Sequence, residues 1–228
     1  MKLLAIDTSG KVASAAVTDG GLLLAEKSVY TTLTHSQVIL PMAREVMNDC
    51  GLGFSDLDGI VIAKGPGSYT GLRIGIAAVK GIVMGCPSLK CAGVSTLEAL
   101  AWNSAAYRGR IVPVLAARKG VVYCGVYESD GETVRQVESD CVCPEAECAA
   151  LIGDCALITG DHCAEMKARY FSGYTDVKCA LPCDRLQKAS SLCMAFEARP
   201  DYAVSPDALE AAYLQDTKAE KDKAHRDA

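Results

Sequence analysis

The sequence predicts an α/β protein of two similar lobes, each a mixed sheet flanked by helices. Three observations point there. An order of strands first, then helix, strand, helix runs twice along the 228 residues. Half of the residues are hydrophobic and 22% are charged, which is the balance of a chain that folds around a core. Only 6% are aromatic, with three Phe. The core is therefore built from Ala, Val, Ile and Leu, with closely packed backbones.

The first lobe is expected over residues 1–108. KLLAID (2–7) reads as a buried strand, and VASAAVT (12–18) as the next. Asp19-Gly20-Gly21 is a hairpin signal leading to LLLAEKSVY, so the chain opens with an antiparallel meander. Thr34-His35-Ser36-Gln37 has the spacing of a capping box. Its helix runs to about Cys50, stops at Gly51 and is bent by Pro41. Gly59–Ala63 is a short apolar strand. A glycine-rich turn follows, then a helix from about Leu72 to Gly85. Ser95-Thr96-Leu97-Glu98 is a second capping box, opening a helix to about Tyr107.

The pattern restarts over 109–205, the smaller lobe. Strands are expected at Arg110–Ala116, Val121–Glu128 and Thr133–Ser139, with Ser129-Asp130-Gly131 as the turn. Helices are expected at Pro144–Ile152, from Asp161 as cap to Phe171, and at Asp184–Arg199; Cys155–Thr159 is a strand between the first two. Residues 206–228 form a closing segment, charged and without apolar positions from Thr217 onward.

Several function classes are disfavoured. The net charge is −5 and the pI about 5.3. A protein that grips phosphate backbones by itself presents a basic surface. The longest apolar stretch, Ile74–Met84, contains Lys80 and falls short of the roughly 20 residues of a membrane span. The start, MKLLAIDTSG, lacks the apolar core of a secretory signal. A cytoplasmic protein is expected. Cys141, Cys143 and Cys148, then Cys179 and Cys183, are the cysteine groups that could suggest metal, but no C-x-x-C occurs among the twelve cysteines. The expectation is free thiols serving as small buried hydrophobes, with no metal site.

The chemistry-bearing stretch is AKGPGSYTGLRIGIAAVKG. Gly65, Gly67 and Gly71 stand between a strand and a helix, where backbone amides either hold an anion or make a tight turn. The spacing is neither a dinucleotide fingerprint nor a P-loop. Asp7 either serves a phosphate or metal-bound water, or caps the Thr8-Ser9-Gly10 turn. The following helix is apolar nearly all round. Gly75 and Gly81 in it each cost about 1 kcal/mol relative to Ala. Close packing on the second lobe or on another chain is the expected compensation.

IDTS (Ile6–Ser9), HSQVILP (His35–Pro41) and GPGSYTGLRIG (Gly65–Gly75) resemble the TsaB (YeaZ) family. ARKGVVY (Ala117–Tyr123) and AYLQ (Ala212–Gln215) extend the resemblance over nearly the whole chain. It implies the two-lobed fold shared with actin, hexokinase and sugar kinases, of ribonuclease H-like type. It also implies a non-catalytic scaffold that works with a TsaD-like catalytic subunit and a TsaE-like ATPase. Together these transfer threonylcarbamoyl to N6 of the adenosine next to the anticodon of tRNA. ATP or ADP and a metal belong to those partners, and the tRNA is met only indirectly. TsaD holds its metal through paired histidines on the first helix, where this chain has His35 alone.

The resemblance places partner binding, or a homodimer when the TsaD-like subunit is absent, on the first two helices. The residues are His35, Ile39, Met42 and Val46 on one, and Leu72, Ile76, Val79 and Val83 on the other. Val79 and Val83 are expected to face outward. Asp7, Ser9, Gly65, Gly67 and Gly71 are the nucleotide-binding candidates. Ala116, Val121 and Gln215 depart from the family's Asp or Glu, Glu and Arg. The alternatives are a glycoprotease-like peptidase and a stand-alone ATP-dependent enzyme of the same fold.

Overall fold

The computed structural model describes residues 1–214. Gln215 and the charged segment from Thr217 lie outside the described residues. Strands β1 (Lys2–Asp7), β2 (Val12–Asp19) and β3 (Leu22–Tyr30) form the expected antiparallel meander. Gly20 and Gly21 make the first hairpin possible, since both take positive φ, 55° and 80°. β4 (Gly59–Gly65) and β5 (Lys90–Ser95) add in parallel beyond β1. In the second sheet β6 (Gly109–Arg118), β7 (Val121–Ser129) and β8 (Val134–Pro144) repeat the meander, and β9 (Ala156–Thr159) and β10 (Val177–Cys179) repeat the parallel pair. The two-residue β11 (Ala203–Val204) returns to the first sheet beside β5.

The order in the first sheet is β11-β5-β4-β1-β2-β3, and in the second β10-β9-β6-β7-β8. Apart from β11, one order repeats the other. The two-lobed α/β architecture with mixed sheets is the one the sequence predicts.

Among the described residues six α-helices cover the sheets: α1 (His35–Asp49), α2 (Tyr69–Gly85), α3 (Thr96–Trp102), α4 (Glu145–Ile152), α5 (Cys163–Tyr170) and α6 (Ala189–Ala198). α1 and α2 lie on the face of the first sheet that presents Leu4, Ile6, Ile60 and Ile62. α3 and α6 lie on the opposite face, over Leu3, Ala5 and Val61. α4 and α5 cover the second sheet. A polar clasp joins the lobes. Asp140 on β8 accepts hydrogen bonds from Ser95 at the end of β5 and, at 2.6 Å, from Tyr127.

The differences from the sequence reading have local causes. β5 was not anticipated: KCAGVS is short, covered on both faces and shows no alternation. α2 starts three residues before Leu72 because Ser68 caps it, accepting from the Gly71 amide at 3.2 Å. α3 stops at Trp102; the side-chain amide of the next residue, Asn103, donates to the carbonyls of Asp184 and Leu186. Asp161 does not cap α5; its carboxylate accepts from the Ala116 amide at 3.0 Å, and α5 begins at Cys163. α6 begins at Ala189, after a 3-10 turn at Pro182–Asp184. The second lobe therefore ends well before residue 205. α6 and β11 belong to the first lobe, tied down by the Ala189 amide donating to Ser14 Oγ at 2.9 Å.

Candidate functional site

The ends of β1 and β4 meet at the mouth of the cleft between the lobes. Asp7 closes β1 and is fully buried. Its Oδ1 accepts from the Ser9 amide at 2.8 Å and from the Ser9 hydroxyl at 2.6 Å. This is the turn-capping arrangement. Oδ2 has no hydrogen-bond partner. Burial raises the Asp7 pKa to about 6, against the pull of the two Ser9 bonds.

The glycine-rich loop packs on that turn. The Ser68 amide donates to the Ser9 carbonyl at 2.7 Å. A Cβ on Gly67 would strike the Ser9 carbonyl, and one on Gly71 the Thr8 carbonyl. Gly65 has the Ala212 carbonyl 2.6 Å from its Cβ position, and the Ala212 amide donates to the Lys64 carbonyl at 2.7 Å. Two motifs far apart in sequence, 65–75 and 212–214, thus meet in space. The glycines serve close approach within the chain, and the Ser68 and Gly71 amides already have partners here.

The cleft itself has a volume of about 440 Å³ and is lined by Ser9, Lys11, His35, Gly67, Tyr123 and Asp161, among others. Of the nucleotide-binding candidates, Ser9 and Gly67 reach it; Asp7, Gly65 and Gly71 lie behind them. His35 starts α1 through the Thr34–Gln37 capping box, and its Nε2 is buried without a partner. It is the sole histidine of α1. Across the cleft, exposed Ala116 stands at the end of β6, and burial raises the nearby Asp161 pKa.

α1 and α2 turn their strongest apolar stripes inward. Ile39, Met42 and Val46 are at most 4% exposed, and Leu72, Ile76, Val79 and Val83 at most 8%. The expectation that Val79 and Val83 face outward is corrected: the Ile-rich face of the first sheet claims them. The outward stripe is Arg73, Ala77, Gly81 and Met84, the last 78% exposed; Leu40 and Pro41 of α1 are exposed too. The two helix glycines separate accordingly. Gly75 lies against Thr8 and Ile62, whereas a Cβ on Gly81 would meet nothing within 4 Å. The small residues Ala77, Gly81 and Gly85, four apart, were the sequence signal for that face.

The cysteine groups picked out by spacing also separate. Cys141, Cys143 and Cys148 gather with Cys124 in the second lobe, Cys179 sits beside Cys163, and Cys183 is exposed. No helix among the described residues is long and apolar enough to cross a membrane.

Residues 30–215 match the family model described as TsaD, tRNA N6-adenosine threonylcarbamoyltransferase. The chain is 39% identical over 140 residues to the tRNA threonylcarbamoyladenosine biosynthesis protein TsaB of Bacillus subtilis, covering 61% of each chain. It is 35% identical over 132 residues to the TsaB of Escherichia coli, covering 57% of this chain and 56% of that one. The matches thus span less than two thirds of these relatives. A crystal structure from Pseudomonas aeruginosa, described as similar to the peptidase YeaZ, superposes with a TM-score of 0.80 at 26% identity, covering 94% of this chain and 99% of that one. The chain belongs to the family whose model is TsaD, and within it to the TsaB/YeaZ branch.

Proposed function

We propose that the chain is a scaffold subunit in the biosynthesis of threonylcarbamoyladenosine on tRNA, without catalytic activity of its own. In this reading it works in the cytoplasm with a TsaD-like catalytic subunit and a TsaE-like ATPase, which carry the metal and the ATP or ADP. The observation that carries the reading is the outward stripe of α2, with Gly81 open and Met84 bare, while Leu40 of α1 is exposed as well. A small-residue helix face, apolar beyond Arg73 and left exposed in the single chain, suits close helix-to-helix docking. The same face closes a homodimer when the catalytic subunit is absent. The cleft supports the non-catalytic part: α1 offers one histidine, and the loop glycines are filled from within. The net charge of −5 leaves the tRNA to the partners.

The test is reconstitution with the catalytic and ATPase subunits of the same organism, with modified adenosine measured by mass spectrometry. Modification should require this chain, and the chain alone should neither hydrolyse ATP nor transfer the group. Full modification without it, or turnover by it alone, overturns the proposal.

A further inference from the structure

The core of the second lobe contains a convergence of thiols that the cleft does not use. β7 and β8 pair with Cys124 opposite Cys141 and Val122 opposite Cys143. Residues two apart on a strand share a face. The Cys-Val-Cys run of β8 therefore sets Cys141 and Cys143 side by side, with Cys124 facing them across the ladder. The Cys124 sulfur is 3.6 Å from that of Cys141 and 3.6 Å from that of Cys143. All three sulfurs lie within 4.8 Å of one another. Cys148 of α4, fully buried, brings a fourth thiol against Cys124 from above the sheet.

These separations match one edge of a tetrahedron around a single ion. With metal–sulfur bonds of about 2.3 Å, that edge is about 3.8 Å. We propose that Cys124, Cys141 and Cys143, with Cys148 as the fourth ligand, bind one thiophilic divalent ion of the zinc class. Spacing alone argues against it, because no C-x-x-C knuckle exists; the strand pair supplies the ligand pair instead. Cysteine as a small apolar filler accounts for thiols buried singly, such as Cys91 and Cys193, but it gives no reason for three sulfurs to meet at one point with a fourth thiol beside Cys124. A disulfide would use two of the four. A tetrahedral all-sulfur set selects zinc or iron–sulfur chemistry, and sulfurs this close leave room for one ion rather than a cluster.

Binding exchanges thiol protons for the ion: each ligand releases one proton to solvent, and nothing is oxidised or reduced. Four protein ligands leave no open position, so the ion is structural. It staples β7 and β8 to α4. Cys141, half-buried at the rim, marks the way in.

The experiment uses the full chain, tag-free and fully reduced, titrated with cobalt(II) and then zinc. The expected result is one equivalent of cobalt with the intense visible bands of a tetrahedral thiolate site, bleached by one equivalent of zinc. Cys143→Ser and Cys124→Ser lose the bands, while Cys155→Ser and Cys183→Ser, at exposed positions elsewhere, keep them. Circular dichroism checks that each variant folds; where one does not, the titration of the parent chain decides. Absence of thiolate–cobalt bands in the reduced parent overturns the proposal. So do bands that persist in the Cys141→Ser/Cys143→Ser double variant.

Discussion

The Thr8 hydroxyl donates a 2.8 Å hydrogen bond to the Gly71 carbonyl, 63 positions away, and the same oxygen occupies the space where a Cβ on Gly75 would stand. The end of β1 and the first two turns of α2 are thereby fixed to each other. A glycine in the middle of a helix is justified here by a hydroxyl that needs its place.

Gly75→Ala should lower stability by about 1–3 kcal/mol, since the added methyl meets both Thr8 and Ile62. Gly81→Ala, with open space around it, should raise the stability of the monomer by up to about 1 kcal/mol. Urea denaturation of the two variants reads the opposite signs. Equal shifts would mean that the faces of α2 are assigned wrongly.

Val79→Glu should fail to fold or lose several kcal/mol, because an unpaired carboxylate would enter a fully buried position. Ala77→Glu, on the exposed stripe, should fold as the parent does and lose self-association and capture of the catalytic subunit. Circular dichroism reports the fold and analytical ultracentrifugation the assembly. A folded Ala77→Glu variant that still assembles would remove this stripe from the interface.

Asp7 gives a pH dependence of defined sign. Its folded pKa, about 6, lies above the ordinary 3.8, so the native state holds the proton more tightly than the unfolded one. Its contribution is fully present below pH 3.8 and is lost as pH rises through 6. Asp7→Asn removes that dependence and should stabilise the protein at pH 8 by about 1–3 kcal/mol. Denaturation midpoints from pH 4 to 8 measure it; parent and variant curves that stay parallel would contradict the assignment.

Thiol chemistry should follow burial. Cys155 and Cys183 are exposed and should react first with a thiol reagent under native conditions. All twelve should react only in denaturant with a chelator present. Rapid native labelling of Cys143 or Cys148, located by peptide mapping, would contradict the packing of the second lobe.

Much of the fold was legible because its signals are local. The Asp19-Gly20-Gly21 turn, the Thr34–Gln37 box and the Ser95 cap each depend on neighbours within four residues. The doubled strand-then-helix order needed only their sequence. β5 escaped because a strand buried on both faces has no alternation to read. The direction of α2 escaped for a related reason. A helix apolar on every side does not say which side the sheet will take, and only the Ile-rich face of β1 and β4 decides that Val79 and Val83 go inward. The thiol cluster was half visible: Cys141, Cys143 and Cys148 stand close in sequence, but Cys124 joins them through strand register, which spacing does not encode. The glycines of 65–71 left an anion cradle and a tight turn both open in the sequence, because the surface they approach is set by the distant Thr8-Ser9 turn.

The return of α6 and β11 to the first sheet gives the chain an order of completion. The face of Leu3, Ala5 and Val61 is made early and partly covered by Ala99 and Trp102 of α3, but it is closed late, by Leu192 and Phe196. During synthesis the part left to α6 stays bare while the whole second lobe emerges, on the order of ten seconds at about 5–20 residues per second. The second lobe is in effect an insertion held between α3 and the helix that seals the first. A fragment ending near residue 108 would carry a sheet with one apolar side covered by α3 alone. Chaperone protection of the nascent chain, and aggregation of chains cut short of α6, follow from where that single helix lies.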